Sequence, residues 1–350
     1  MSAGTEVVVK TNVEKNTDKT FLMAIGVVFL VGLGFWIKQI MGGFSGYSAQ
    51  YAWGLYIAAF FTAVAGGAGV MILAAITNIM NIIDERKSRQ FYMAAVAMFV
   101  MAGFFILADL GAPLNIFKLV FTTNMSAPMV LDFWLLMACV VICIISVFLK
   151  GQSKNLSIVG LVLAFVLLVV EAWLIASGNA QQLWGITMGG GIAFIQVAIM
   201  SFSLLMLIGQ DAKYVKLGLV FGLLIFLGVS LTDLLAGLSD GGRLGLQWAA
   251  VANSYVFWIG IVVGAIAPLV LLLKAKELVK NSRIVISALA MLGVLFTKLS
   301  YVWSSQAVPA IDIGANSAAG FHLEEIIVVI GFTALGILVY YGLNARKGGA

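Results

Sequence analysis

The sequence contains little charge. Aspartate, glutamate, lysine and arginine account for 10% of its 350 residues, whereas hydrophobic residues account for 62%. Soluble domains contain about 25% charged residues, so most of this chain must face lipid. Only four prolines accompany 38 glycines, a composition that suits close-packed membrane helices, in which small residues let backbones approach. These proportions exclude soluble globular, disordered and disulfide-rich proteins.

Potential metal ligands are equally scarce. The chain has one histidine, His322, and two cysteines, Cys139 and Cys143. A bis-histidine haem needs two imidazoles and an iron–sulfur cluster needs about four thiolates, so we expect neither group, and no metal, in this chain. The cysteines lie one helical turn apart in an apolar stretch. We interpret them as packing residues, with a reactive dithiol or a lone metal pair as the alternative.

Long apolar runs dominate what remains. A helix that crosses a bilayer needs about 20 apolar residues. Ten segments meet this length: 21–41, 52–83, 91–110, 129–149, 156–176, 188–209, 215–235, 250–274, 284–304 and 322–343. The sequence therefore predicts an all-α integral membrane protein with ten transmembrane helices. The first segment follows a polar tail at 1–20 and is too long for a signal peptide, so we interpret it as a retained helix.

The basic residues are distributed unequally between alternate loops. Sixteen of the 20 lysines and arginines fall on the side of the N-terminus. The other four are Lys38, Lys118, Arg243 and Lys298. Cytoplasmic loops of membrane proteins are enriched in both residue types, so both the N-terminus and the tail at 344–350 are predicted to be cytoplasmic. The net charge of +5 is explained by these loops and implies no nucleic-acid partner.

The acidic residues show the opposite bias. Eight of the 15 fall on the predicted outer side or in the outer part of a helix: Asp109, Asp132, Glu171, Asp233, Asp240, Asp312, Glu324 and Glu325. An ionisable group in hydrocarbon costs about 2.5 to 3.5 kcal/mol, so it usually faces a partner, water or a ligand inside the bundle. These acids, with Lys298, are therefore the first candidates for function.

Position along each helix separates these candidates. Asp132 and the Glu324–Glu325 pair begin helices, where the helix dipole alone could stabilise an anion. Asp109 and Asp233 end helices, where the dipole disfavours an anion, so we favour a functional role for this pair. Lys298 could serve as their partner, form a purely structural ion pair, or extend its ammonium group to the interface.

Two stretches of sequence repeat loosely. WGLYIAAFFTAVAGGAG begins at Trp53 and WGITMGGGIAFIQVAIM begins at Trp184, while Asp109 and Asp233 lie 124 positions apart in similar contexts. A unit of four helices gives parallel repeats, as some transporters also have. We therefore expect a first four-helix bundle at 52–176 and a second at 188–304. A flanking helix is expected at each end, at 21–41 and 322–343.

Several motifs resemble those of the polysulfide reductase membrane subunit family (NrfD/PsrC-like). ADLGAP is similar to the family's Asp-Leu-Gly-x-Pro turn, and TNMSAPMVLDFW resembles its Asn- and Ser-containing segment that leads into Pro-Met. The helices YAWGLYIAAFFTAVAGGAG, FWIGIVVGAIAPLVLLL and HLEEIIVVIGFTALGILVYY resemble further family helices. LGVLFTKLSYVWSSQAVP departs from the pattern, because Lys298 stands where the family has Arg and Ser305 where it has Gly before Gln306. Ten helices suggest the longer branch of the family.

This resemblance implies a function for the chain. It suggests a haem-free subunit of a respiratory complex in the prokaryotic cytoplasmic membrane, which exchanges electrons between a quinone, with menaquinone expected, and a ferredoxin-like iron–sulfur subunit on the outer face. Further catalytic or cytochrome subunits would complete the complex. Proton translocation stays open, because only scattered polar residues lie in the inner half of the helices.

A quinol site needs a proton acceptor beside the ring hydroxyl and hydrogen-bonding groups around it. We place the headgroup near the outer ends of the second to fourth helices, with Asp109 as the proton acceptor. The pocket residues expected around it are Gln50, Trp53, Tyr56, Asn124 and Ser126. Residues expected to act as charge partners or in a proton path are Asp132, Glu171, Asp233, Lys298, His322 and Glu325.

Two other functions fit the same sequence. A secondary transporter would explain parallel repeats and glycine-interrupted helices, although its site is expected at the membrane midplane rather than near one face. A purely structural anchor for an electron-transfer complex would show no dependence on quinone.

Overall fold

The computed structural model describes eight stretches of the chain. They are residues 3–42, 52–122, 124–149, 153–178, 182–210, 213–275, 277–308 and 320–345, with side chains from residue 19 onward. Fourteen α-helices occupy these stretches: α1 (Ala3–Gly42), α2 (Leu55–Ile79), α3 (Glu85–Asp109), α4 (Ile116–Val120), α5 (Pro128–Phe148), α6 (Lys154–Ala176), α7 (Gln182–Thr187), α8 (Gly191–Leu207), α9 (Lys213–Leu238), α10 (Gly242–Asn253), α11 (Tyr255–Ile261), α12 (Ala267–Lys274), α13 (Lys280–Gln306) and α14 (Leu323–Ala345). A 3₁₀ turn at Pro113–Asn115 precedes α4, and a π-helical segment at Val262–Ile266 joins α11 to α12.

The predicted architecture is confirmed, although the helix count is not. Across the described ranges there is no β-strand, and nine helical spans are long and apolar enough to cross a membrane. One of the nine, Tyr255–Lys274, is formed by α11, the π-helical segment and α12 together. The sixth predicted segment forms α8, which has 17 residues and is shorter than the other nine. The eighth begins at Tyr255 instead of 250, because the short helix α10 ends before Ser254, whose side chain accepts a hydrogen bond from Phe257 N and caps α11.

Local sequence signals explain where several helices begin. Asp84 caps α3 by accepting a hydrogen bond from Lys87 N at 2.8 Å, and Ser153 caps α6 by accepting one from Leu156 N at 3.3 Å. Pro128 occupies the first turn of α5, where its missing N–H costs no helical hydrogen bond.

The second helix is the centre of the molecule. In α2, 89% of the apolar span is buried, compared with 6% in α1. α2 packs against α3, α6, α8, α13 and α14. Its glycines allow these contacts: a Cβ atom at Gly69 would meet Ser201 Oγ and Val197 of α8. Close approach of small residues is how membrane helices gain packing energy.

The remaining contacts group the helices on either side of α2. α5 packs against α3 and α6, while α8 and α11 pack against α13 and α8 packs against α9. The division into two four-helix bundles stays a prediction, since no independent comparison tests its boundaries. The flanking helices α1 and α14 pack on each other, and α14 also packs on α3. Gly32 and Gly331 meet in the α1–α14 contact, where a Cβ atom on either would clash with the other's backbone.

We call one end of the helix array the Asp109 end. α1, α3, α6 and α13 end there, and α2, α5 and α14 begin there. Contacts between these helix termini, described below, place them together. The sequence predicts that this end faces outward.

Candidate functional site

A polar cluster lies at the Asp109 end between four helices. The hydroxyl of Tyr56, in the first turn of α2, donates a hydrogen bond of 2.7 Å to Gln39 Oε1 of α1. Tyr56 has 0% and Gln39 8% of its surface exposed. A hydrogen bond between two buried side chains is favourable here because neither group reaches water.

Two carboxyl groups complete this cluster. Asp109 is the last residue of α3 and is half-buried, and Glu325 lies in the first turn of α14 and is only 3% exposed. Both interact electrostatically with Tyr56 and with each other. Within the described chain, Glu325 Oε1 is buried without a hydrogen-bond partner. We refer to Gln39, Tyr56, Asp109 and Glu325 as the Tyr56 cluster.

An ion pair and an open groove flank the Tyr56 cluster. Lys38 Nζ lies 2.6 Å from Glu324 Oε1, which ties the end of α1 to the start of α14. The Lys38 side chain is 67% exposed, so water screens this pair. A groove of about 450 Å³ runs along the same end of α1, lined by Gly34, Ile37, Lys38, Met41 and Gly42.

Trp53 precedes α2 and is held through its backbone. Its N–H donates to Gln306 Oε1 at 3.0 Å, and its carbonyl accepts from Gln306 Nε2 at 2.8 Å. Its indole stacks on that of Trp184, with ring centroids 4.4 Å apart and planes at 11°. Gln247 similarly accepts a hydrogen bond from Leu183 N, immediately before Trp184. The two tryptophans that begin the sequence repeat are thus in direct contact.

The other predicted pocket residues lie apart from this cluster or outside the described residues. Asn124 and Ser126 lie in an exposed loop before α5, where Ser126 Oγ donates to Asn124 Oδ1 at 3.1 Å. His322 is exposed just before α14. Gln50 and the acidic residue Asp312 lie outside the described residues.

A second charged cluster is buried deeper in the structure. Asp132 of α5, Glu171 of α6 and Lys298 of α13 are 6%, 6% and 3% exposed. Glu171 interacts electrostatically with both Asp132 and Lys298. We call these three residues the interior triad. The sequence suggests Lys298 as a partner for Asp109 or Asp233, whereas the charge that acts on it is that of Glu171.

Asp233 lies in a different part of the molecule. It is half-buried in α9, which packs against α8, α10 and α12. Asp233 interacts electrostatically with Tyr301 of α13, which is fully buried. Asp109 and Asp233 therefore occupy similar sequence positions in different surroundings.

The residue that the sequence reasoning missed is Gln39. Its only signal was an uncharged polar side chain next to Lys38 near the end of an apolar run, and many such residues simply face the interface. Glu325 was expected as a charge partner or proton-path residue, but its place beside Tyr56 was not, because the two residues lie 269 positions apart in the sequence. In chemical terms, the cluster offers a phenol, an amide and two carboxyl groups that can accept protons.

Comparison with known proteins supports a membrane protein of this kind. No model of a known protein family matches the chain. The chain is 23% identical, over 392 residues, to a protein of Halobacterium salinarum described as a membrane subunit of dimethyl sulfoxide reductase. The match covers 91% of this chain and 88% of that protein. Together with the apolar helices, it identifies the chain as a multi-pass membrane protein, while family membership stays an expectation.

Proposed function

We propose that this chain is the quinone-interacting membrane subunit of a multi-subunit respiratory oxidoreductase. It exchanges electrons between a quinol, with menaquinol expected, and a ferredoxin-like iron–sulfur subunit docked at the Asp109 end. The observation that carries this proposal is the unpartnered Glu325 Oε1, which is buried beside Tyr56 and Asp109. The relative described as a reductase membrane subunit supports the same class of complex.

The Tyr56 cluster suits a quinol headgroup. A buried carboxylate oxygen without a partner costs free energy unless a ligand supplies a hydrogen-bond donor, and a quinol hydroxyl is such a donor. Oxidation of a quinol to a quinone releases two protons and two electrons. Glu325 and Asp109 accept the protons, which then leave to water at the Asp109 end, while the electrons pass to the iron–sulfur partner.

Each remaining residue of the cluster positions the ring. Tyr56 donates its hydroxyl hydrogen to Gln39 Oε1, which leaves the Gln39 amide N–H groups facing this site as donors for a quinone oxygen. This bond also connects α1 with α2 beside the bound headgroup. In this proposal Asp109 has the role expected from the sequence, that of a proton acceptor, and Glu325 is a second proton acceptor.

The groove on α1 provides access from the lipid. It is a shallow, open groove formed by α1 alone, and Ile37 and Met41 give it an apolar surface that suits an isoprenoid tail. The Lys38–Glu324 ion pair lies at the edge of the groove and next to Glu325 in sequence. We infer that a hydrophobic substrate approaches the cluster along this face of α1, where Gln39 directly follows the groove residue Lys38 in sequence.

The test uses the native complex purified with its partner subunits. We expect bound quinone, an iron–sulfur subunit, and a fall of about 10²-fold or more in quinol oxidation for Glu325→Gln, which removes a proton acceptor but keeps the shape. Asp240→Asn, on an exposed loop acid, serves as the matched control. A complex without quinone whose E325Q variant turns over normally would leave the structural anchor as the better explanation, and quinone-independent solute uptake would favour the transporter.

A further inference from the structure

The interior triad lies at a different depth from the Tyr56 cluster. Asp132 is the fifth residue of α5, Glu171 lies five residues before the end of α6, and Lys298 lies eight residues before the end of α13. With a rise of 1.5 Å per residue, these positions are roughly 6 to 12 Å below the helix termini at the Asp109 end. The triad is therefore inside the apolar region, where water has limited access.

The charges of the triad do not cancel when all three groups are ionised. Two carboxylates face one ammonium group, which leaves one net negative charge in a buried site. No hydrogen bond or ion pair shorter than 4.0 Å joins the three side chains, and Asp132 Oδ1 and Glu171 Oε1 are buried without a partner in the described chain. An uncompensated buried charge is very costly, so binding one proton, which makes the triad neutral, is strongly favoured.

A small cavity lies between Glu171 and Lys298. Its volume is about 20 Å³, and both charged residues line it together with apolar side chains of α2 and α8 such as Phe61, Ala65 and Phe194. One water molecule needs about 10 to 15 Å³ and two to four polar partners. The carboxylate accepts and the ammonium donates, so this cavity meets both requirements.

The groups that surround Glu171 are few. Asp132 and Cys139 face it from α5, and Lys298 faces it from α13. The cavity residues from α2 and α8 are uncharged. The titratable groups at this site are therefore the two carboxyl groups, the Lys298 ammonium group and the Cys139 thiol, and protonation of one carboxylate neutralises the triad while the ammonium charge is kept.

We propose that the cavity binds one water molecule that bridges Glu171 and Lys298, and that the interior triad stores one exchangeable proton on its two carboxyl groups. On loading, the bridging water passes a proton taken up from the aqueous phase to a carboxylate oxygen, an O–H bond forms on that carboxyl group, and the net charge changes from minus one to zero. On release this O–H bond breaks, the proton returns through the same water to the aqueous phase, and the net charge returns to minus one. The proposal does not depend on quinone as the substrate.

Infrared spectroscopy of the full-length chain in its native complex tests this directly. At neutral pH we expect a carbonyl stretching band of a protonated carboxyl group that shifts in D₂O. Both Glu171→Gln and Asp132→Asn should abolish this band, because the single remaining carboxylate is then neutralised by Lys298. Asp240→Asn should leave the band unchanged. If neither triad variant alters the protonated-carboxyl bands, the triad is fully ionised and the proposal is wrong.

A third variant gives a result that a merely structural cluster would not produce. Lys298→Met removes the compensating cation, so we expect a second protonated-carboxyl band to appear. If the variant does not assemble, the D₂O-sensitive band of the unmodified complex remains a test, and the absence of that band overturns the proposal.

The bridging water is tested by changing the size of the cavity. Ala65→Val fills the cavity and should raise the frequency of the protonated-carboxyl band, whereas Ala65→Gly should not. An unshifted band in A65V would contradict the bridging water.

Discussion

The Tyr56 cluster and the interior triad both contain a buried carboxyl group without a hydrogen-bond partner among the described residues, yet their surroundings differ. The first lies at helix termini beside a groove of about 450 Å³ and an exposed ion pair. The second lies deeper, beside an ammonium group and a cavity of about 20 Å³. Under our two proposals, a buried carboxyl group meets a large lipid-soluble ligand at the first site and a single water molecule at the second, because the available space limits what can bind.

The largest expected effect is a loss of quinol oxidation on substitution of Asp109, which belongs to the Tyr56 cluster and not to the interior triad. Asp109→Asn in the purified complex should lower quinol oxidation by about 10²- to 10⁴-fold, since the proton acceptor is lost. The infrared band of the triad should stay unchanged in this variant, because Asp109 does not contribute to that site. Turnover at the wild-type rate would remove Asp109 from the proposed role.

A change at the triad should instead affect stability. Lys298→Met removes the cation of a buried charge cluster, so we expect a loss of about 3 kcal/mol, measured as a lower thermal midpoint of the solubilised complex. Adding Glu171→Gln should recover much of the loss, since only one carboxyl group then remains. Additive losses in the double variant would show that the two residues do not interact.

A packing change should disturb the Tyr56 cluster alone. Gly32→Ala places a methyl group against the backbone of Gly331, so α14 must move away from α1, at a cost of about 1 to 3 kcal/mol. This moves Glu325 of α14 relative to Tyr56 and Asp109, with which it interacts, and should raise the KM for quinol. Gly26→Ala, also in α1, is the matched control, because nothing lies within 4 Å of the added carbon atom. Equal KM values in G32A and G26A would contradict the α1–α14 arrangement.

The smallest effect concerns the exposed ion pair. Lys38→Met removes a partner that is 67% exposed, and such pairs contribute about 0 to 1 kcal/mol, less at high salt. We expect a shift of the thermal midpoint that is barely measurable and disappears in high salt. A large shift that is independent of salt would mean that Lys38 does more than hold Glu324.

Much of the fold could be predicted from local patterns. Runs of apolar residues indicate nearly every spanning helix, because a segment in lipid must satisfy its own backbone hydrogen bonds and can do so only as a helix. The short helices α4, α7 and α10 were not predicted, since they lie between the spans, where hydropathy carries no signal. The length of α8 was also overestimated. Gly189 and Gly190 precede the helix and Gly209 follows it, and the helix spans only Gly191–Leu207 between them.

The candidate site was only partly predictable. Asp109 and Tyr56 are suggested by their positions in the sequence, and the structure brings them together. Asn124 and Ser126 are suggested by a motif and lie in an exposed loop instead. Gln39 and Glu325 complete the cluster from the first and last helices, and no local pattern shows that these two helices pack side by side.

The amino-acid sequence by itself determined that this protein lies in a lipid bilayer, that it is helical, and which ionisable groups lie in its apolar segments. These properties depend only on composition and on spacing along the chain. Only the tertiary structure decided which of those groups meet. Glu325 joins Tyr56, and Lys298 faces Glu171, through contacts between helices that are distant in sequence. The physical reason is that helix pairing depends on shape, such as the close approach of Gly32 and Gly331, and hydropathy does not encode shape.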